Sequence, residues 1–297
     1  MITDGYQRDG ARIRRNFDTA AAGYDKVAQL QRVVGTRLLE RLDHIRIKPA
    51  LSLDLGSGTG FVGRHIAARY RRGRVIQLDC APNMLRQARQ QARWFFSRQR
   101  YVCADAEFLP LRDTSIDLAV SNLMLQWVVD PQRSLQECLR VLQPGGLFLF
   151  SSFGPDTLSE LRQSWRAVDD HIHVNAFMDM HDIGDGMIRA GFTEPVLETE
   201  RFTLLYQDVR SLLQELKSLG ASNTNLGQRK SLTTPAMLKR MTEAYQRQCS
   251  EATLPATFEV VYGHAWVPQH QQQRRQAAGD SVAIPLSAIK HRDADGS

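Results

Sequence analysis

The chain has 297 residues, 42% hydrophobic and 24% charged, enough for one large domain or one domain with an appended lobe. No stretch approaches the roughly 18 uninterrupted apolar residues that span a bilayer. The basic N-terminus MITDGYQRDGARIRRNF lacks the apolar core of a secretory signal. A cytoplasmic protein without stable membrane insertion is therefore the expectation. Cys80, Cys103, Cys138 and Cys249 form no Cys-x-x-Cys pair, so neither a zinc site nor a disulfide framework is supported. The formal charge of +6 suits an acidic partner, or serves solubility alone.

Taken in chain order, Phe17 to Leu42 reads as helical. From Leu51 to Ser152, short apolar runs alternate with amphipathic stretches. LSLDL, RVIQL, RYVCA, IDLAVS and LFLFSS read as buried strands of a parallel sheet. VGRHIAARY, PNMLRQARQQARW and PQRSLQECLRVL repeat apolar residues at helical spacing, with Pro82 and Pro131 in first-turn positions. Gln143-Pro144-Gly145-Gly146 is expected to stop the third helix and turn into the next strand. Alternating strands and helices imply a doubly wound α/β sheet. Further on, Leu158–Val168, Gly184–Ala190, Asp208–Leu219 and Pro235–Gln248 read as helices. PVLETERFTLLY reads as one or two strands and ATFEVVYGHAWV as a late strand. The expected organisation is a helical lid over 1–45 and a catalytic domain over 46–268, with a helical insertion near 200–255. A polar, mobile tail is expected over 269–297.

The strongest local signal is Asp54-Leu55-Gly56-Ser57-Gly58-Thr59-Gly60, which follows a strand and opens a helix. Glycines belong where backbone takes positive φ or meets a ligand closely. The dinucleotide fingerprint G-x-G-x-x-G fails, because Phe61 stands at its third glycine. The Walker pattern fails too, since no Gly-Lys-Ser/Thr follows. A carboxylate at Asp54 would repel a pyrophosphate and suit a ligand carrying ammonium and sulfonium groups. Asp79 ends the second strand 19 residues past Gly60, where an acid accepts ribose hydroxyls; the alternative is a cap for the helix at Pro82. Asp105, after the third strand, suits the edge of a base or is a solvated loop acid.

Together these residues resemble the class I S-adenosylmethionine-dependent methyltransferases, a Rossmann-like fold with seven strands, the last antiparallel. The resemblance implies that Asp54, Gly56, Ser57, Gly58 and Gly60 cradle the amino acid part of the cofactor. It gives Asp79 and Cys80 to the ribose, Asp105 and Ala106 to the adenine, and places Asn122 beside the methyl group. Three flanking segments narrow the family: Phe17-Asp18-Thr19-Ala20-Ala21-Ala22-Gly23-Tyr24-Asp25, Ser121-Asn122-Leu123-Met124-Leu125-Gln126-Trp127, and Leu216-Lys217-Ser218-Leu219-Gly220-Ala221-Ser222-Asn223. They resemble the malonyl-acyl-carrier-protein O-methyltransferase family of biotin synthesis.

That resemblance implies methyl transfer to a malonyl carboxylate on acyl carrier protein, an acidic partner for a basic chain. It implies no nucleic acid and no metal. Tyr24 would position substrate without a general base, since a carboxylate is already ionised near neutral pH. Gln31, Trp127 and Lys217 would complete the substrate site, and Lys217 and Arg229 could face the acidic carrier protein or form a solvated helix face. The group that grips the malonyl carboxylate is not singled out among Arg15, Arg201 and Lys217. Competing readings remain open at this point: a quinone precursor, RNA, or a respiratory-complex arginine as substrate, the last in an assembly-factor relative with the same flanks.

Overall fold

Seven strands pair into one sheet in the computed structural model, which describes residues 8–92, 98–228, 232–248 and 253–269. They are β1 (Leu51–Leu55), β2 (Arg74–Asp79), β3 (Gln99–Cys103), β4 (Ile116–Asn122), β5 (Leu142–Phe153), β6 (Thr193–Tyr206) and β7 (Leu254–Trp266). Their order across the sheet is β3-β2-β1-β4-β5-β7-β6. The first five run parallel, and β7 lies antiparallel between β5 and β6. This is the Rossmann-like class I methyltransferase architecture that the sequence led us to expect. The chain winds outward from β1 through β3, then returns to β4 on the other side. Between the carboxyl ends of β1 and β4 the winding direction reverses, and open α/β sheets bind ligands in that crevice.

Residue alternation along the strands divides the core in two. Leu147, Leu149 and Phe153 of β5 join one buried cluster, Phe148 and Phe150 the other. The first cluster is covered by α3 (Gln29–Glu40), α4 (Phe61–Arg69), α7 (Ser159–Arg166), α9 (Val209–Ser218) and α10 (Pro235–Gln246). The second is covered by α6 (Pro131–Val141) and α8 (Met180–Ala190), while α5 (Pro82–Gln90) packs near β2 and β3. Helix starts follow local chemistry: Asp130 accepts the Arg133 N–H at 3.0 Å, Asp208 that of Ser211 at 2.7 Å, and Thr234 that of Met237 at 3.3 Å.

Two local expectations needed adjustment. The N-terminal helical region starts earlier than Phe17 and is broken: α1 (Gly10–Ala20), α2 (Tyr24–Val27) and α3 follow one another with turns between. Asp9 starts α1 by accepting the Arg12 N–H at 2.9 Å. The Gln143–Gly146 stretch is strand rather than turn, because Leu142 already pairs with Ile116 and a register shift before Leu118 absorbs the glycines. Among the described residues, no helix is long and apolar enough to cross a membrane. Arg229, Cys249 and positions 270–297 of the expected tail lie outside the described residues.

Candidate functional site

The glycine loop leaves β1 at the point where the winding reverses. The Gly56 and Ser57 N–H groups donate to the Leu78 carbonyl at 2.8 and 2.9 Å, which ties the loop to β2. Gly58 has φ +51°, and a Cβ built there meets nothing within 4 Å, so this backbone faces open space. Gly60 differs. Its φ is +82°, and a Cβ there would lie 2.4 Å from Gln77 Oε1 and 2.9 Å from the Ala88 Cβ. Gly60 thus serves helix–sheet packing and does not line the cleft, although the resemblance had placed it at the cofactor.

The open space is a concave cleft at the carboxyl ends of the strands, the kind of place where small-molecule sites occur. Gly56, Gly58, Asp79, Cys80, Asp105, Ala106, Asn122 and Trp127 all line it, from the ends of β1 to β4. Its roof is the N-terminal region: Gly10, Ile13, Phe17 and Tyr24. Phe17 meets Trp127 edge-on at 5.1 Å between ring centroids. A smaller adjoining cavity is lined by Tyr24, Gln31, Asp54, Ser57, Gly58 and Asn122 among others. Lys217 lies in neither. It stands, exposed, at a further cavity that shares Trp127 with the cleft. Arg15 and Arg201 line none of the three cavities, and Arg201 pairs with Asp156 on the exposed surface.

Asp79 both lines the cleft and braces it. Its Oδ2 accepts the Gly58 N–H and its Oδ1 the Ala81 N–H, each at 2.8 Å. The start of α5, which the alternative reading gave to Asp79, is held from the roof. Asp18 Oδ1 accepts the Asn83 N–H at 2.7 Å, and its Oδ2 accepts from the Asn83 amide at 2.8 Å. Asp25, also in the roof, accepts the Thr59 hydroxyl at 2.7 Å. Glu107, a buried residue of the cleft wall, accepts the Val129 N–H at 2.6 Å and the Asp130 N–H at 3.1 Å. Sequence reasoning gave no role to Asp18, Asp25 or Glu107. The acids at both ends of the FDTAAAGYD segment were the available signal for the first two.

Burial sets the electrostatics. It pushes the Tyr24 phenol upward, with Asp79 and Asp25 adding to the shift, so the hydroxyl keeps its proton and remains a donor. It likewise raises the Asp79 carboxyl and pushes the Cys80 thiol up to about 12. Asp54 is buried, with Oδ2 accepting the Gly63 N–H at 2.7 Å. Burial pushes its carboxyl up to about 7, with Asp79 adding, against the opposing Gly63 N–H and Arg64 guanidinium.

The Asp54 shift has a signed consequence. Folded Asp54 holds its proton up to about pH 7, whereas the unfolded chain releases it near 3.8. The native state therefore loses stability as pH rises through that window. Asp54→Asn, which retains an acceptor for Gly63, should stabilise the ligand-free protein at pH 8. That gain should fade as pH falls towards 4. Chemical denaturation at several pH values checks this, and a pH-independent gain would refute it.

Two buried polar atoms near the adjoining cavity have no partner among the described residues: the Ser57 hydroxyl and the Gln31 Oε1. Orphaned polar groups beside an open glycine backbone fit a polar ligand such as an amino acid moiety. Acids at the ends of β2 and β3 fit a nucleoside.

A Rossmann-like sheet with this glycine loop at its switch point defines the fold of a methyltransferase. The family model described as a methyltransferase domain matches residues 53–150. The Haemonchus contortus phosphoethanolamine N-methyltransferase 2, solved with S-adenosyl-L-methionine, has this fold. Its TM-score is 0.51 at 19% identity, over 85% of this chain and 57% of that one. A malonyl-[acyl-carrier protein] O-methyltransferase from Gallionella capsiferriformans is 47% identical over 91% of this chain and 95% of its own. One from Halorhodospira halophila is 45% identical over 97% of this chain and 98% of its own. The chain belongs to the malonyl-[acyl-carrier protein] O-methyltransferase family.

Proposed function

We propose that this protein methylates the free carboxylate of a malonyl thioester on acyl carrier protein, opening pimeloyl synthesis for biotin. The observation that carries the reading is kinship across almost the whole chain, at 47% and 45% identity. That kinship extends well beyond the cofactor loop, into the roof and the segments that follow β5.

The residues have a coherent division of labour under this reading. Each Asp79 oxygen accepts one backbone N–H and keeps a second lone pair for a ribose hydroxyl. Cys80 packs beside that sugar, and Asp105 and Ala106 meet the adenine. Asp54, Ser57 and Gly58 surround the amino acid end, joined by Gln31, which the resemblance had given to the substrate. When bound, S-adenosylmethionine supplies a methyl group on a sulfonium. Transfer to a carboxylate oxygen forms C–O, breaks C–S with its electron pair left on sulfur, and moves no proton. No general base is needed. The chain contributes positioning and exclusion of water. Tyr24 donates from above, Asn122 lies at the end of β4, and the Phe17–Trp127 pair walls the reacting centre. Asn122 is itself fixed, donating to the Gln31 carbonyl at 3.0 Å and accepting from the Ser151 hydroxyl at 2.8 Å. The positive net charge favours encounter with an acidic carrier protein.

The test is methyl transfer from labelled S-adenosylmethionine to malonyl-acyl carrier protein, beside acetyl-acyl carrier protein and malonyl-coenzyme A. Label should appear on the malonyl carrier, more slowly on the coenzyme A ester, and not on the acetyl carrier, which has no carboxylate. No label on any, with the cofactor bound, would overturn the reading.

A further inference from the structure

Beyond the indole of Trp127 lies a second cavity that the cofactor cleft does not explain. Phe153, Leu161, Trp165, Phe177, Leu213 and Phe258 give it apolar walls. One side is the end of α9, with Leu216 and Lys217, and the segment that follows it, with Ala221, Ser222 and Asn223. This is the third of the flanking segments that set the chain apart by sequence, and none of its residues lines the cofactor cleft. Trp127, from the second such segment, belongs to both spaces. The two distinguishing segments therefore meet at one chamber next to the site of transfer.

The chamber also holds a fixed polar post. His173 Nε2 lies 2.7 Å from Asp169 Oδ1, and the ring stacks on Trp165 at 3.8 Å between centroids with planes 5° apart. A ring held this way has its tautomer set by the carboxylate: Nε2 donates to Asp169, and Nδ1 is left as an acceptor. Nδ1 has no partner among the described residues, and it is not among the sealed, unsatisfied atoms. None of the lining residues is acidic, and Lys217 stands exposed at the rim.

We propose that this chamber is the acceptor site for the pantetheine arm of an acyl thioester. His173 Nδ1 accepts an amide N–H of that arm, and Lys217 faces the acidic carrier that delivers it. The proposal rests on the carrier-protein reading above. It adds a place for the substrate and a positioning residue, His173, which neither carries nor receives the methyl group. The chemistry matches the ligand: the arm carries both apolar carbon and amides, and the chamber sets apolar walls beside the polar side chains of His173, Asn175 and Asn223.

The test uses the full-length protein saturated with S-adenosylhomocysteine. Pantetheine is titrated in while tryptophan fluorescence is followed, since Trp127 and Trp165 both line the chamber. A saturable change is expected, and Ser222→Phe, which fills the chamber from its loop side, should abolish it. In turnover, Ser222→Phe should raise KM for malonyl-acyl carrier protein about tenfold or more, with S-adenosylhomocysteine affinity held within about twofold by calorimetry. His173→Ala should raise KM about tenfold for malonyl-pantetheine, the loss of one hydrogen bond. Its penalty should be several times smaller for an S-ethyl malonyl thioester, which has no amide to lose. Equal penalties on the two thioesters, or a pantetheine response untouched by Ser222→Phe, would overturn the proposal. If the wild type labels no malonyl carrier, the functional reading fails by itself, and the pantetheine titration still decides the chamber.

Discussion

Asp79→Ala is expected to weaken S-adenosylmethionine binding by about 10- to 150-fold. Hydrogen bonds to a charged group contribute about 1.5–3 kcal/mol, and each 1.4 kcal/mol is a factor of about ten. The upper end is favoured, because the same carboxylate organises the loop it faces. Its two oxygens accept the Gly58 and Ala81 N–H groups, and both donors would lose their partner in the alanine variant. Asp79→Asn retains one acceptor oxygen and should fall between wild type and alanine. Isothermal calorimetry on the purified protein reads this directly. Affinity within twofold of wild type would remove Asp79 from the cofactor site.

What the sequence made legible was local in origin. The strands of the sheet announced themselves as short apolar runs, and the glycine loop announced the switch point by sitting between a strand and a helix. Asp79 was legible because its distance from the loop is fixed by one helix and one strand. Groups whose roles arise between distant segments were not. Asp18 meets Asn83 from 65 positions away, and Glu107 meets Val129 across 22. Nothing in their neighbours predicts such partners. Asp54 was read for its charge, and its burial against Gly63 shows how strongly the environment sets that charge. Gly60 looked like Gly58 in the sequence. Only the positions of Gln77 and Ala88 separate a packing glycine from one facing the cleft. Lys217 lay on an amphipathic helix as expected, but its place at a second cavity follows from how α9 docks beside Trp127.

The Gly58–Gly60 contrast yields the largest expected stability effect. Both residues occupy the left-handed region, where an L side chain costs about 1–2 kcal/mol. For Gly60→Ala there is a second cost, because the added carbon would drive into Gln77 and Ala88. Gln77 is fully buried on the central sheet, so it has little room to yield. Overpacking of this kind costs about 1–3 kcal/mol, which brings the expected loss to about 2–5 kcal/mol. That is a large fraction of the 5–15 kcal/mol that holds a typical domain together. For Gly58→Ala the backbone cost remains, but the new methyl points into open space. The protein should stay folded with a loss of about 1–2 kcal/mol, while the methyl intrudes where the cofactor would lie. Denaturant unfolding and calorimetry on the two variants should therefore separate. Gly60→Ala should fail chiefly in stability, Gly58→Ala chiefly in cofactor affinity. Equal destabilisation by both would mean that the space beside Gly58 is not open in solution. Intact affinity in Gly58→Ala would move the cofactor away from the loop.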